Sequence, residues 1–338
     1  GWNISNEDFW ANHIGENFGA KLRVSWGISG NNNIGNYEHV GYMSDLGGYV
    51  LGGQIVPTRY PSAFVDNLLG WEKTDQYNVG MDLSFLRNRI TLSANYYNSI
   101  SNDLLFNKPV SAIAGATQYK SNLSNAKIRN TGFDIQVDGR ILTGVVNWNI
   151  GANLSLNRNK VLSLPDSQSI VSIGERSAIS HITMVGKPIG SFYGLNSLGV
   201  ISEEEYQRIL VDKQHIGEEG YQLTGPAVWN YENVQPGDAK WKDVNNDGKI
   251  TDDDREILGD NYPDFTYGFS TNISYKGLSL SASFSGVQGA QVISFQNYYL
   301  LNMEGTCNQF ALAADRYNAV TNPNPAMYRA NIATTNKN

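Results

Sequence analysis

The most constraining feature of this sequence is a pair of long alternating segments joined by a two-residue turn. From Phe265 to Tyr275, large side chains, mostly apolar, alternate with Thr, Gly, Ser and Asn, and a similar pattern covers residues 278–285. Only Lys276 and Gly277 separate the two segments. Alternation with a period of two predicts β-strands that have one apolar and one polar face. Because the pattern runs for about ten residues, the apolar face is suited to lipid.

The same alternation recurs upstream and predicts further strands. The upstream segments are residues 22–28, 77–85, 90–96, 133–137 and 146–156. Together with the hairpin they make seven crossings, and an eighth is considered near residues 292–300. Because single-chain bacterial barrels use even strand numbers, seven strands predict a portion of a larger antiparallel transmembrane β-barrel. The alternative is a soluble β-sandwich with elaborated loops, since alternation suits both folds.

The connections between these strands alternate between short and long. Short turns are predicted around Arg87, across residues 139–145 and at Lys276 and Gly277. The long connections are residues 29–75, 98–131 and 157–264. This alternation is typical of outer-membrane barrels, which have short periplasmic turns and long extracellular loops.

The longest connection is predicted to be one extracellular excursion. The strands on either side of residues 157–264 run in opposite directions, so the excursion contains either no crossing or an even number of crossings. A short helix is expected at residues 203–211, where Ser202 serves as the N-cap.

Composition agrees with a surface that needs few charges. Charged residues make up 17% and aromatic residues 11% of the 338 residues, whereas soluble chains carry roughly 25% charged residues. The net charge of -7 argues against binding to nucleic acid. One cysteine, Cys307, and four scattered histidines exclude a disulfide framework and the usual zinc spacings. No apolar run reaches the roughly 18 residues that a membrane helix requires.

An acidic loop at residues 243–254 has the spacing of a calcium-binding loop. Its predicted ligands are Asp243, Asn245, Asp247, Lys249 and Asp254. Lys249 offers its backbone carbonyl, Gly248 permits the sharp turn, and Asp254 stands where Glu is usual. Ile250 is expected to pack onto a core. The spacing therefore predicts a structural Ca²⁺ ion, and the alternative is an Asx-rich turn held by its own side chains.

Three aromatic residues in the longest connection are candidates for ligand contact: Trp229, Tyr231 and Trp241. Flat apolar rings stack well on sugar rings, and packing of the loop against its neighbours is the alternative. The acids Asp252, Asp253 and Glu256 are interpreted as solvated charge beside the acidic loop, and no catalytic residue or enzymatic activity is predicted.

With these residues in place, the chain closely resembles the C-terminal half of SusC/RagA-type TonB-dependent transporters. The matching segments are residues 22–37, 71–97, 128–135, 185–194 and 237–289, in the order found in the family. The last segment is the most specific, because its DVNNDG run carries the family's DxNxDG loop at the start of the acidic loop.

The resemblance implies that residues 1–338 are the C-terminal portion of a plugged, all-β antiparallel barrel of about 22 strands with long extracellular loops. It also implies TonB-energised import of oligosaccharides or peptides across the outer membrane of a Gram-negative bacterium. The implied partners are a SusD-like surface lipoprotein, TonB and outer-membrane lipid, typically in a dimer of transporter–lipoprotein pairs. The signal peptide, TonB box, plug and last strands are expected to lie outside this sequence.

The competing functional hypothesis is a soluble, calcium-stabilised, carbohydrate-binding β-protein. Such a protein would fold in water without detergent, and the apolar strand faces would be buried against a second sheet.

Overall fold

In a computed structural model of the chain, the described residues are 1–13, 17–36, 39–41, 43–61, 64–109, 118–165, 169–173, 180–301, 303, 308–323, 325 and 327–330. The chain divides into two compact units. Unit 1 comprises Gly1–Ile170, Thr183–Ile189 and Tyr262–Ala290, and unit 2 comprises Val171–Ile182, Gly190–Asn261 and Gln291–Asn338. Within the described part, no helix is long and apolar enough to span a membrane.

Strands dominate the secondary structure. The strands are β1 (Trp2–Asn3), β2 (Phe18–Asn31), β3 (Met43–Leu51), β4 (Gln54–Pro61), β5 (Glu72–Phe85), β6 (Ile90–Pro109), β7 (Gln118–Leu142), β8 (Val146–Ser163), β9 (Ile170–Ile173), β10 (Ser180–Thr183), β11 (Ser191–Gly194), β12 (Ser197–Val200), β13 (Ala239–Trp241), β14 (Glu256–Gly259), β15 (Phe265–Tyr275) and β16 (Leu278–Gln288). The α-helices are α1 (Asp8–His13), α2 (Glu203–His215) and α3 (Phe295–Leu300).

Unit 1 is built on an open, eight-stranded antiparallel sheet in the order β1-β2-β5-β6-β7-β8-β15-β16. All seven crossings predicted from alternation are present in it. Strand β15 pairs directly with β8, from Thr266↔Ser155 to Tyr275↔Val146, so the long segment between them adds no strand to this sheet. We call this sheet the wall.

One face of the wall is apolar and exposed. Val24, Trp26 and Phe284 are 65%, 62% and 64% exposed, respectively. Rings on this face pair across strands, as Phe269 does with Phe284 at 6.5 Å between ring centroids. A continuous apolar surface of this kind is unusual on a soluble monomer and indicates contact with an apolar medium or a partner.

Two of the predicted turns depend on left-handed backbone. Lys276 and Gly277 have φ values of 44° and 86°, as in a type I′ hairpin, whose twist matches that of the flanking strands. The turn between β5 and β6 also has positive φ at Leu86, Arg87 and Asn88. The turn predicted across residues 139–145 is shorter in the structure, because β7 ends at Leu142 and β8 begins at Val146.

The prediction of a long loop at residues 98–131 is wrong. Strands β6 and β7 stay paired as far as Pro109↔Gln118. The reason is that backbone pairing does not require an apolar face, so the alternation fades while the ladder continues. Residues 29–75, also predicted as a connection, contain the β3–β4 hairpin.

The eighth crossing considered near residues 292–300 is also wrong. Residues Phe295–Leu300 form helix α3, and Ser294 caps it by accepting a hydrogen bond from the Asn297 N–H at 3.3 Å. By contrast, the helix predicted at residues 203–211 is present as α2 and extends to His215. Ser202 and Glu205 form a reciprocal capping box at its start.

Unit 2 contains a four-stranded sheet in the order β14-β11-β10-β9 and the β12–β13 pair. It has two small cores. The first core is Ile201, Ile209, Val228 and Val234, and the second is Ala227, Ala239, Trp241 and Ile250. Within this unit the carboxylate of Asp212 is fully buried and accepts hydrogen bonds from Tyr221, Thr224 and Gly225.

Candidate functional site

The acidic loop lies between β13 and β14 and begins at a carboxylate that accepts backbone amides. The oxygens of Asp243 accept the N–H of Asn246 at 2.7 Å and the N–H of Gly248 at 2.9 Å. Gly248 has a φ of 82°, and a Cβ there would collide with the Leu223 side chain. The positive φ therefore favours glycine at this position, and any other residue would also have to push the end of the Leu223 side chain aside.

The far end of the loop is organised around Asp254, which is completely buried. Its carboxylate accepts the N–H of Val244 at 2.9 Å and the N–H of Thr251 at 2.7 Å. Burial is the largest single effect and opposes ionisation, but the backbone donors together outweigh it and lower the pKa of Asp254. Asp254 therefore holds the two ends of the loop together as a carboxylate.

The middle of the loop is a run of short side chain–backbone contacts. The Asn245 Oδ1 accepts the Asp247 N–H at 2.9 Å, and the Asp247 Oδ1 accepts the Lys249 N–H at 2.8 Å. Beyond it, the Ile250 N–H donates to the Val228 carbonyl at 3.3 Å. Ile250 is 2% exposed and packs in the second core, as the sequence predicts.

The five predicted calcium ligands lie in one loop and offer only oxygen atoms, the donor chemistry that Ca²⁺ prefers. As arranged, however, the side-chain oxygens of four of them face backbone amides, as in the Asx-rich turn: Asp243, Asn245, Asp247 and Asp254. No group of three or more His, Cys, Asp or Glu side chains within the described ranges is placed to hold a metal ion. The loop therefore offers the donor atoms that Ca²⁺ prefers, but these atoms do not converge on one point. The calcium site stays a prediction.

The three candidate aromatic residues occupy different environments. Trp229 is exposed, whereas Trp241 is buried in the second core. Tyr231 packs against the first core and its hydroxyl donates to the Gly248 carbonyl at 2.8 Å. Burial, reinforced by nearby carboxylates, raises the pKa of Tyr231 to about 12. Of the three, Trp229 alone presents an exposed ring, whereas Trp241 and Tyr231 pack with the two cores, and ligand contact by these residues stays a prediction.

The polar face of the wall carries a charged network across three strands. Arg23 on β2 donates from Nε and Nη2 to the two carboxylate oxygens of Asp82 on β5, each at 2.7 Å. Its Nη2 also donates to the Asn95 Oδ1 on β6 at 2.7 Å. Gly80 lies directly opposite Arg23, and a Cβ there would be 3.0 Å from the Arg23 Cζ. Gly80 therefore leaves room for the guanidinium group to lie along the sheet.

Further polar contacts follow the same face. The Tyr97 hydroxyl donates to the Asn157 Oδ1 at 3.1 Å, and the Asn272 Nδ2 donates to the Ser281 Oγ at 2.6 Å. The residues predicted to line a lumen occupy polar positions in the strand register: Asn147, Asn149, Asn153 and Ser281. The wall therefore separates a hydrogen-bonded polar face from an apolar face.

The apolar face has the height of a lipid-facing band. On β8 its positions run from Val146 to Leu156. Ten residue steps of roughly 3.4 Å, tilted by about 40°, rise about 26 Å, close to the band of roughly 25 Å on outer-membrane barrels.

Comparison with known proteins decides the family. A model described as "TonB dependent receptor-like, beta-barrel" matches residues 10–200, more than half of the chain. The chain belongs to this family of TonB-dependent receptor β-barrels. The family is one of receptors and not of enzymes, and the predicted antiparallel barrel fold is confirmed.

Several relatives of this TonB-dependent receptor chain are similar over nearly all of its length. The TonB-dependent receptors P3 and P26 of Formosa agariphila are 29% and 32% identical over 94% of this chain and 30% of their own lengths. The TonB-dependent receptor SusC of Bacteroides thetaiotaomicron is 27% identical over 84% of this chain and 26% of its own length. The resemblance to SusC/RagA-type transporters is thus confirmed.

A solved structure has the same fold as this receptor chain. The structure of the RagAB peptide transporter superposes with a TM-score of 0.74 at 21% identity, covering 99% of this chain and 34% of that one. The chain accordingly spans only about a third of the length of its relatives.

Sequence reasoning missed the network around Arg23. The available signal was a pair of opposite charges, Arg23 and Asp82, at polar positions of two predicted strands. The missing information was the register of β2 against β5, which is not visible in either strand alone.

Proposed function

We propose that this chain forms part of the barrel wall and extracellular loops of an outer-membrane, TonB-dependent importer of the SusC/SusD type in a Gram-negative bacterium. The observation that carries the proposal is the two-faced wall in a chain of the TonB-dependent receptor family. Its apolar face has the height of a membrane band, and its polar face is suited to an aqueous lumen.

In this proposal the two faces of the wall have separate tasks. The apolar face contacts outer-membrane lipid, and the polar face, including Arg23, Asp82 and Asn95, lines the lumen or meets the plug. Because these side chains already bond to one another, the lumen surface is ordered before a ligand arrives. Preorganised polar groups lower the entropic cost of binding.

Unit 2 is proposed to be extracellular, since it contains most of the longest connection between wall strands. There it meets a SusD-like surface lipoprotein or the substrate, typically within a dimer of transporter–lipoprotein pairs. TonB acts through parts of the longer protein outside these residues. The exposed ring of Trp229 is the aromatic candidate for ligand contact.

The cargo is proposed to be an oligosaccharide or a peptide. The resemblance to SusC/RagA-type transporters supports an oligosaccharide or a peptide, and the RagAB peptide transporter, whose fold this chain shares, supports the peptide. The proposal assigns the chain no catalytic role.

Calcium is proposed as a structural ion of the acidic loop. The spacing and the oxygen donors support it, and Asp243, Asn245 and Asp247 would turn from backbone amides towards the ion. The transport proposal does not depend on this ion.

The test is fractionation and purification of the full-length protein that contains this chain. We expect it in the outer-membrane fraction, soluble only with detergent, and co-purifying with a surface lipoprotein and with an oligosaccharide or peptide identified by mass spectrometry. A monodisperse protein in water without detergent would overturn the proposal. That result would favour a soluble, calcium-stabilised carbohydrate-binding protein.

A further inference from the structure

Basic side chains follow the apolar band on the outward face of two adjacent wall strands. On β8 the outward positions after Leu156 are Arg158 and Lys160. On β7 an outward position is occupied by Arg129, which is the direct cross-strand partner of Lys160. Direct partners on adjacent strands have their side chains on the same face of the sheet. Three cations therefore form one group, which we call the basic cluster: Arg129, Arg158 and Lys160.

Neighbouring acids neutralise the basic cluster only in part. Within the part of the chain that the structure describes, Arg158 pairs with Asp264 at 3.3 Å between two exposed side chains, and neither Arg129 nor Lys160 forms an ion pair. The next acid on this face, Asp75, lies two strands from Arg129, roughly 10 Å away at the usual strand spacing. Like charges placed directly opposite each other destabilise a sheet, so this arrangement favours an anionic partner.

The position of the cluster fits the headgroup layer of a membrane. Each outward step along a tilted strand rises roughly 5 Å, so Arg158 and Lys160 lie about 5 and 10 Å beyond the end of the apolar band at Leu156. Headgroups occupy a layer of roughly 5–8 Å on each side of the hydrocarbon. The cluster therefore spans the depth at which lipid phosphates lie.

We propose that Arg129, Arg158 and Lys160 form a docking site for the phosphorylated headgroup of an anionic lipid in the outer leaflet. The two guanidinium groups match phosphate oxygens as planar forks, and the ammonium adds a point charge. The lipid chains then lie along the apolar face below the cluster. The inference rests on the proposed membrane location of the wall.

The experiment uses the full-length protein purified in detergent. Binding of phosphatidylglycerol, with phosphatidylcholine as the neutral comparison, is measured by native mass spectrometry for wild type and for the double variant Arg129→Gln/Lys160→Gln. We expect the double variant to bind the anionic lipid roughly thirtyfold more weakly, given the usual contribution of each basic residue near a membrane surface. Binding of the neutral lipid should not change.

Two further variants keep the test decisive. Lys21 is an exposed residue on the polar face of the wall. The control variant Lys21→Gln removes its positive charge and should leave lipid binding at the wild-type level. The charge-preserving variant Arg129→Lys/Lys160→Arg should retain binding, which separates loss of charge from loss of folding.

Equal phosphatidylglycerol binding by wild type and the glutamine variant would overturn the inference. Binding of inorganic phosphate as tightly as phosphatidylglycerol would also overturn it, because the cluster would then be a site for a free anion. If the protein needs no detergent, the proposed function itself fails, and this outcome is recognised before any lipid is added.

Discussion

The carboxylate of Asp254 accepts the backbone N–H of Thr251 at 2.7 Å and closes the acidic loop from its buried side. A second amide, from Val244 at the start of the loop, donates to the same carboxylate. The Asp254 side chain thereby holds Val244, which lies ten positions before it in the sequence. Backbone amides of the loop supply the positive partner that a buried carboxylate requires.

Replacing Asp254 with Ala should destabilise the acidic loop by about 1–3 kcal/mol for each buried amide left without an acceptor. The amides of Val244 and Thr251 should exchange with solvent faster, as measured by hydrogen–deuterium exchange on the full-length protein. The matched control is Asp253→Ala, because Asp253 is adjacent and exposed. If Asp253→Ala speeds exchange as much as Asp254→Ala, the role assigned to Asp254 is wrong.

Acidic pH should lower the stability of unit 2. The pKa of Asp254 and that of Asp212 are lowered from 3.8, because several hydrogen-bond donors together outweigh the opposing effect of burial. A lowered pKa contributes stability that is fully present above the ordinary value and is lost as pH falls through the lower folded value. We expect protection of the Thr224 and Thr251 amides, corrected for intrinsic exchange rates, to fall below about pH 4.

One carboxyl in unit 2 opposes this trend. Burial raises the pKa of Asp238, although Arg329 beside it acts in the other direction. A raised pKa means that its contribution is present at low pH and is lost as pH rises through the folded value. The variant Asp238→Asn should therefore make amide protection in unit 2 fall more steeply as the pH is lowered. A pH dependence of protection equal to that of wild type would contradict the direction of the pKa shift assigned to Asp238.

The sequence predicts the strands of the wall well and its polar contacts poorly. Alternation identifies a strand such as Phe265–Tyr275 because its side chains fall alternately on the apolar and the polar face of the wall. It fails between Asn98 and Pro109, where neither face is continuously apolar although the backbone pairing persists. Contacts such as that of Arg23 with Asp82 depend on register, and the burial of Trp241 depends on chain segments distant in sequence.

Calcium should raise the stability of the acidic loop if the predicted ion binds there. Binding requires Asp243 and Asp247 to exchange amide hydrogen bonds for the ion, so we expect weak affinity, on the order of 0.1–1 mM as in extracellular modules. Amide exchange in residues 243–254 should slow on addition of Ca²⁺ and recover with a chelator. Asp243→Asn should remove the effect, and identical exchange with and without Ca²⁺ would count against the site.

Removing the Arg23 guanidinium should weaken the polar network only modestly. Arg23 and Asp82 have side chains 37% and 38% exposed, so solvent screens their attraction. We expect a coupling of about 0.5–1 kcal/mol between Arg23→Ala and Asp82→Ala in a double-mutant cycle of unfolding in detergent. Gly80→Ala should reproduce part of the loss by pressing on the guanidinium, and additive single variants would show that the pair contributes nothing.

A charge introduced on the apolar face of the wall should reduce the free energy of folding far more than the same charge on the polar face. Phe284 is outward on β16, and its neighbour Ser283 points to the polar face opposite Ser270. Phe284→Arg should cost about 2–4 kcal/mol near the middle of the bilayer, measured as reversible folding of the full-length protein into lipid vesicles. Ser283→Arg adds the same side chain one residue away and should cost much less, since the lumen is wet. If the two variants fold equally well, the assignment of the two faces to lipid and lumen is wrong.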